Sequence, residues 1–179
     1  MDIFISNIKD VPSMIDQHGI THVLTVITIY EIDYVKPKLP ASFDKNNWLF
    51  LNMDDVIDAD VPLAPQKEQV AQILEWGRSL PADAKVLVHC FAGVSRSTAS
   101  ALALKVQELG VDKLDECIEW LVNHRPIACP NPVITKHADE LLCANGLLHQ
   151  KAEAVASAKL IKGFGTDWKN HIERTHLKE

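Results

Sequence analysis

The chain has 179 residues, 47% of them hydrophobic and 23% charged, with a formal net charge of −6. That length suits one domain able to bury about 70% of its unfolded surface around a single core, and the composition is unlike that of a disordered or fibrous chain. An acidic balance without a Lys/Arg cluster argues against nucleic acid or an anionic membrane as the main partner, so any bound phosphate must be held by local groups.

Met1 to Asp10 carries Asp2 and only a short apolar stretch, which lacks the basic flank and long apolar centre of a signal peptide, and no transmembrane segment is expected. Runs rich in β-branched or aromatic residues predict strands at Ile3 to Ile5, His22 to Ile29, Trp48 to Asn52 and Lys85 to His89. Met14 to His18 predicts a short helix closed by Gly19. Val70, Ile73, Leu74 and Gly77 share one face of a longer helix that begins near Pro65. Tyr30 to Asn47, with Pro37 and Pro40, is a long connection of the kind that often forms a lid or rim.

Beyond His89 the pattern is helical throughout. Ala99, Leu102, Ala103 and Val106 line one face of a helix from Arg96 to Leu109, with Gly110 as an expected left-handed cap. Asp112 starts the next, which buries Leu114, Cys117, Ile118, Leu121 and Val122 and stops before Pro126. Asn131-Pro132 opens another, with Ile134, Ala138 and Leu141 inward, finishing at Gly146. Strands alternating with helices predict an α/β fold, a central mostly parallel sheet flanked by helices, with a helical C-terminal half. The main domain is expected to span residues 1–147. Residues 148–179 read as a helical appendage: an Ala-rich segment, Lys151 to Lys162, then Gly163, Gly165 and a charged end with His171, Glu173 and His176.

Chemistry concentrates at one place. Val86-Leu87-Val88-His89 is a buried strand leading into the loop Cys90-Phe91-Ala92-Gly93-Val94-Ser95, after which Arg96 and Ser97 open a helix. Successive amides in such a loop, with the positive end of the helix, form an anion site. Gly93 supplies the backbone conformation that lets the loop curl, and Phe91, Ala92, Val94 and Ser95 contribute their amides. The Arg96 fork can grip two phosphate oxygens at once. Cys90 lies under the same amides, whose field favours thiolate over thiol, and is therefore poised to attack phosphorus and form a phosphocysteine. The Ser97 hydroxyl can stabilise the sulfur when it leaves. His89 is expected to hold the loop by hydrogen bonding, although a histidine ending a strand is as often an ordinary core residue. The alternative for Cys90 is a buried structural thiol. Cys90, Cys117, Cys129 and Cys143 show no Cys-x-x-Cys spacing, which removes the usual zinc and thioredoxin-like readings and suits a reducing cytoplasm.

His89-Cys90-x-x-Gly93-x-x-Arg96-Ser97 resembles the signature of the protein tyrosine phosphatases, and Ala92-Gly93-x-Ser95-Arg96-Ser97 is similar to the dual-specificity branch. Arg125-Pro126 followed by Pro130-Asn131 resembles a segment that follows the signature in that branch, and the likeness covers about Ile3 to Leu147. The resemblance implies hydrolysis of phosphotyrosine, with phosphoserine and phosphothreonine also open, in protein or peptide substrates, with no metal or other cofactor. It implies a general acid a few residues after the third strand. Asp55 fits best, Asp58 next and Asp54 third; Pro62-Leu63-Ala64-Pro65 lengthens this stretch and shifts the register. Solvated loop charge is the ordinary reading for at least two of these acids. Asn131 is implied to hydrogen-bond the phosphate loop, though helix capping alone also explains it. His137 reads as core, and His171 and His176 flank Glu173 in the wrong order for His-Glu-x-x-His. Two other functions stay open: a phosphatase for a phosphoinositide, nucleotide or RNA, disfavoured by a loop without lysine, and a phosphopeptide-binding module without turnover.

Overall fold

The computed structural model describes residues 1–34, 39–41 and 43–159. Pro37, and Gly163, Gly165, His171, Glu173 and His176 of the expected tail, lie outside them. Strands β1 (Asp2–Ser6), β2 (His22–Ile27), β3 (Trp48–Asn52) and β4 (Lys85–His89) form one sheet in the order β1-β4-β2-β3, with every pairing parallel. β4 is therefore central, and Val86, Leu87 and Val88 are fully buried, as a strand covered on both faces must be. His89 pairs with Ser6 on one side and Thr25 on the other, so β1 and β4 end at one level and β2 runs two residues further.

Alternation along the strands assigns the two faces. Val23 and Leu87 join Ile20 and α1 (Val11–His18), through Val11 and Ile15, in a smaller core. Leu24, Val86 and Val88 turn to the other face and the main core. That core is built with α3 (Lys67–Ser79), α4 (Arg96–Leu109), α5 (Leu114–His124) and α6 (Pro132–Leu141). Every residue of α4 from Arg96 to Leu104 is buried, and most are Ser, Thr or Ala, which let neighbouring helices approach closely. The polar ones are satisfied locally: Thr98 Oγ1 donates to the Val94 and Ser95 carbonyls and Ser100 Oγ to that of Arg96.

Boundaries moved where capping decided them. β2 stops at Ile27 because Thr28 begins a short helix, α2 (Ile29–Tyr34), through a reciprocal box. The Thr28 amide donates to Glu31 Oε2 and the Glu31 amide to Thr28 Oγ1. α3 begins at Lys67, two residues past Pro65, because Gln66 and Gln69 form a second box. Gly110 has φ 96° and ψ 156° in place of the expected left-handed cap, and leads into a 3₁₀ turn, so α5 starts at Leu114. Ile118 and Val122 are half-buried. The boundary expected near residue 147 falls at the start of α7 (Leu147–Lys159), whose Leu148 and Ala152 are buried in the main core. The Asp139 carboxylate accepts from the Gly146 and His149 amides, tying α7 to α6. Among the described residues, no helix is long and apolar enough to cross a membrane.

Candidate active site

The loop from Cys90 to Ser95 leaves the end of β4 and curls back over β1. Gly93 makes this possible. Its φ is 70°, and a Cβ there would lie 2.6 Å from the carbonyl carbon and oxygen of Ser6, so only glycine fits against that backbone. The Ile8 amide donates to the Phe91 carbonyl at 3.1 Å, and Arg125 Nε to the Gly93 carbonyl at 2.8 Å. With its carbonyls held outward by these partners, the loop turns the Gly93 amide inward to donate to Cys90 Sγ at 3.2 Å. Ser97 Oγ lies 3.2 Å from the same sulfur. Cys90 and Arg96 are each only 1% exposed, so the sulfur forms the floor of the site.

His89 is fully buried behind that floor. Trp48 Nε1 donates to Thr25 Oγ1 at 2.9 Å, and Thr25 Oγ1 lies 2.7 Å from His89 Nε2. The Cys90 carbonyl, 3.4 Å from Nδ1, can only accept, which places the ring proton of the neutral imidazole on Nδ1 and leaves Nε2 to accept from the Thr25 hydroxyl. Burial pushes the imidazole down to about 4, against a smaller upward pull from that carbonyl, so the ring is neutral at physiological pH. The ring thus sits between Thr25 and the Cys90 carbonyl as a buried core residue.

Arg96 begins α4, and its guanidinium is divided between two tasks. Nη1 and Nη2 donate to the two oxygens of Glu31 at 2.8 and 2.9 Å, and Nη1 donates again to the Met53 carbonyl at 2.9 Å. Three of its five N–H donors are thus spent on the protein. Nε is buried without a hydrogen-bond partner, with Asp55 Oδ2 at 3.6 Å, an ion-pair distance only. The side-on pair, Nε–H and the second Nη2–H, is what remains for an anion. Burial works against the charge, yet Asp55, Glu31 and the Cys90 sulfur outweigh it and push the guanidinium's pKa further up. Burial likewise pushes the Glu31 carboxyl up, and its bonds to Arg96 and Thr28 more than reverse this, holding it below the usual range.

The three candidate acids separate by position. Asp55 Oδ1 accepts from Ser95 Oγ at 2.5 Å and from Asn131 Nδ2 at 3.0 Å, which brings its carboxyl over the loop. Asp54 caps the amide of Asp55, and Asp58 is exposed and accepts from the Asp60 amide. The stretch after β3 is closed as a loop, because the Asp54 amide donates to the Leu63 carbonyl at 2.7 Å. Ser95 stands at the N-cap of α4 without capping it, because its hydroxyl is turned to Asp55. The Asn131 side chain caps α6 and bonds the Asp55 carboxylate and the Val56 carbonyl; its link to the phosphate loop is through its backbone amide, 3.4 Å from the Ser95 carbonyl. Phe91 and Ala92 are exposed on the rim, and Val94, half-buried, receives the Cys129 amide on its carbonyl. Burial and then the charge of Asp55 push the Cys129 thiol up. His137 is half-buried on α6, away from these groups in the chain order, with Nδ1 unbonded.

Glu31 is the site residue that sequence reasoning did not find. Its signal was present as Thr28-x-x-Glu31, a capping-box spacing directly after a strand.

A parallel sheet whose central strand delivers a cysteine to an amide-lined loop, with an arginine opening the next helix, is the cysteine-phosphatase fold expected from the sequence. The chain belongs to the dual specificity phosphatase catalytic domain family, whose family model matches residues 3–139. It is 28% identical over 122 residues to a probable dual specificity protein phosphatase of Dictyostelium discoideum, covering 68% of this chain and 27% of that protein. It is 34% identical over 88 residues to dual specificity protein phosphatase 15 of Mus musculus, covering 49% of this chain and 37% of that one. The chain thus spans about a third of the length of these relatives. Among solved structures, that of human tyrosine phosphatase-like serine/threonine/tyrosine-interacting protein matches with a TM-score of 0.62 at 24% identity, over 80% of this chain and 92% of that one.

Proposed function

We propose that this protein hydrolyses phosphotyrosine, and with it phosphoserine and phosphothreonine, in protein or peptide substrates through a phosphocysteine intermediate. The observation that carries the reading is the pairing of a Cys90 sulfur that receives the Gly93 amide with an Arg96 Nε that is buried and unbonded beside it. A dianionic phosphoryl group bound between them would satisfy that orphan donor.

In the first step the Cys90 thiolate forms a bond to phosphorus as the bond to the substrate oxygen breaks. Asp55 gives its proton to the departing oxygen, so the alcohol or phenol leaves neutral. Its Oδ1 is already engaged by Ser95 and Asn131, which leaves Oδ2 as the oxygen that carries the proton. In the second step Asp55, now a carboxylate, takes a proton from water as that water attacks phosphorus, and the thiolate leaves with the Gly93 amide and Ser97 hydroxyl as donors. Arg96 and the loop amides supply the positive field throughout. A cytoplasmic setting belongs to this reading, since the nucleophile must stay reduced, and all four cysteines are free.

The test is hydrolysis of an aryl phosphate and of phosphopeptides in the presence of chelator, with Cys90→Ser as control. The variant is expected to lose turnover and still bind inorganic phosphate. Turnover retained in Cys90→Ser would mean a different nucleophile, and wild-type protein that binds phosphopeptides without hydrolysing them would leave a binding module.

A further inference from the structure

Large apolar side chains left in water are ordinary when scattered and informative when gathered. Among the described residues seven stand exposed, and six of them, Ile29, Tyr30, Ile57, Leu63, Phe91 and Ile127, gather about the phosphate and acid loops; Leu147 is the exception. Phe91 belongs to the phosphate loop itself. Ile127 lies two residues from Arg125, which donates to the Gly93 carbonyl, and two from Cys129, whose amide donates to the Val94 carbonyl. Ile57 follows Val56, whose carbonyl Asn131 holds, and stands two residues past Asp55. Leu63 accepts the Asp54 amide on its carbonyl, and Ile29 and Tyr30 directly precede Glu31, the partner of Arg96.

Below this rim the sulfur and the arginine are each only 1% exposed, so a phosphoryl group must descend to them and the residues beside it come to rest on the rim. The charges there narrow what can rest on it. Asp58 and Asp60 stand exposed beside Ile57, and the phosphate loop contains no lysine. Arg96 and Arg125 are engaged with protein groups, and Lys9, next to the Ile8 that bonds Phe91, is offset by Asp10. An anionic lipid surface or an acidic peptide would meet repulsion with little to balance it. We propose that this apolar rim is the surface on which a protein substrate docks, and that its substrates carry large apolar residues, not acidic ones, beside the phosphorylated residue; this substrate class rests on the phosphatase reading. Contacts made by flanking residues are the same in the bound substrate and in the transition state, so they lower KM and leave kcat unchanged.

The experiment compares phosphotyrosine peptides of one sequence in which the residues on both sides of the phosphotyrosine are Leu, Ser or Glu, with nitrophenyl phosphate and phosphoinositide-bearing phosphatidylcholine vesicles as further substrates. Expected for the wild type is a kcat/KM about 10-fold higher with Leu than with Ser, carried by KM, and lowest with Glu. Ile57→Ser combined with Ile127→Ser should cut that preference to about twofold or less, while nitrophenyl phosphate is hydrolysed within about twofold of the wild-type rate. Equal kcat/KM for Leu and Ser peptides, or a preference that survives in the double variant, overturns the proposal and leaves the phosphatase reading intact. Faster hydrolysis of the vesicles than of the Leu peptide overturns it in favour of a lipid surface. Wild-type protein that turns over none of these substrates defeats the phosphatase reading instead. The peptide Kd values on Cys90→Ser then decide the role of the rim: binding about 10-fold tighter with Leu than with Ser supports docking, and equal Kd values overturn it.

Discussion

The side-chain amide of Asn131 donates to the carboxylate of Asp55, a residue 76 positions earlier in the chain. The same amide holds the Val56 carbonyl while the side-chain oxygen caps two amides of α6. One buried side chain therefore fastens the acid loop to a helix whose position is set by the core. Removing it in Asn131→Ala leaves buried polar groups on both sides and should cost about 2–4 kcal/mol in urea unfolding. Turnover of substrates with poor leaving groups should fall alongside. A variant as stable as wild type would mean that water replaces the amide without loss.

Asp55→Asn keeps the shape of the carboxyl and removes its proton. For alkyl and unsubstituted phenyl phosphates kcat should drop by about 10²–10⁴-fold, whereas nitrophenyl phosphate, which leaves readily without help, should be far less affected. Asp58→Asn and Asp54→Asn, whose carboxylates bond only nearby amides, should stay close to wild type on every substrate. The selective pattern appearing in Asp58→Asn would reassign the acid.

At Gly93 the backbone conformation and the packing both exclude a side chain. A methyl group would meet the Ser6 backbone at 2.6 Å, where no flexible atom can move aside. Gly93→Ala should destabilise the fold by at least about 2 kcal/mol, from left-handed strain and the clash together, and should depress kcat even at temperatures where the protein stays folded. Circular dichroism melts paired with rates at low temperature separate the two effects.

The buried His89 predicts a pH dependence of stability. Its folded value is lowered to about 4 from 6.5, so between those limits the unfolded chain binds the proton that the folded one refuses. Stability from this group is complete above pH 6.5 and lost as pH falls towards 4, by about 3 kcal/mol in all. Urea unfolding at pH 7.5 and pH 5 should show a smaller loss in His89→Gln, which keeps a partner for Thr25 and has no proton to gain. Equal losses in the two proteins would show that the histidine is not the group responsible.

Much of this was legible from the chain because the informative features are local. β3, β4 and α4 emerged with their observed boundaries, since apolar runs and proximity to a glycine-bearing loop define them without help from distant residues. Cys90, Gly93, Arg96 and Ser97 sit within eight residues, and their geometry follows from a strand turning into a helix. What escaped depended on partners far along the sequence. Nothing near Glu31 says that it meets Arg96, and nothing near Asn131 says that its amide reaches Asp55 in addition to capping its own helix. The choice among Asp54, Asp55 and Asp58 was open because their spacing is that of any acidic loop, and Ser95 and Asn131 distinguish them only in three dimensions. The place of the Ala-rich helix α7 likewise depends on distant partners, since its Leu148 and Ala152 are buried in the main core.

The strand order carries a consequence for how this protein comes into being. β4 inserts between β1 and β2, so a nascent chain that has made the first three strands holds a pair, β2 with β3, and an unattached β1. The segment that joins them is the last of these four strands in chain order, and Cys90 follows it directly. Sheet completion and assembly of the chemistry are consequently a single event, and a half-folded chain has no partial enzyme to offer.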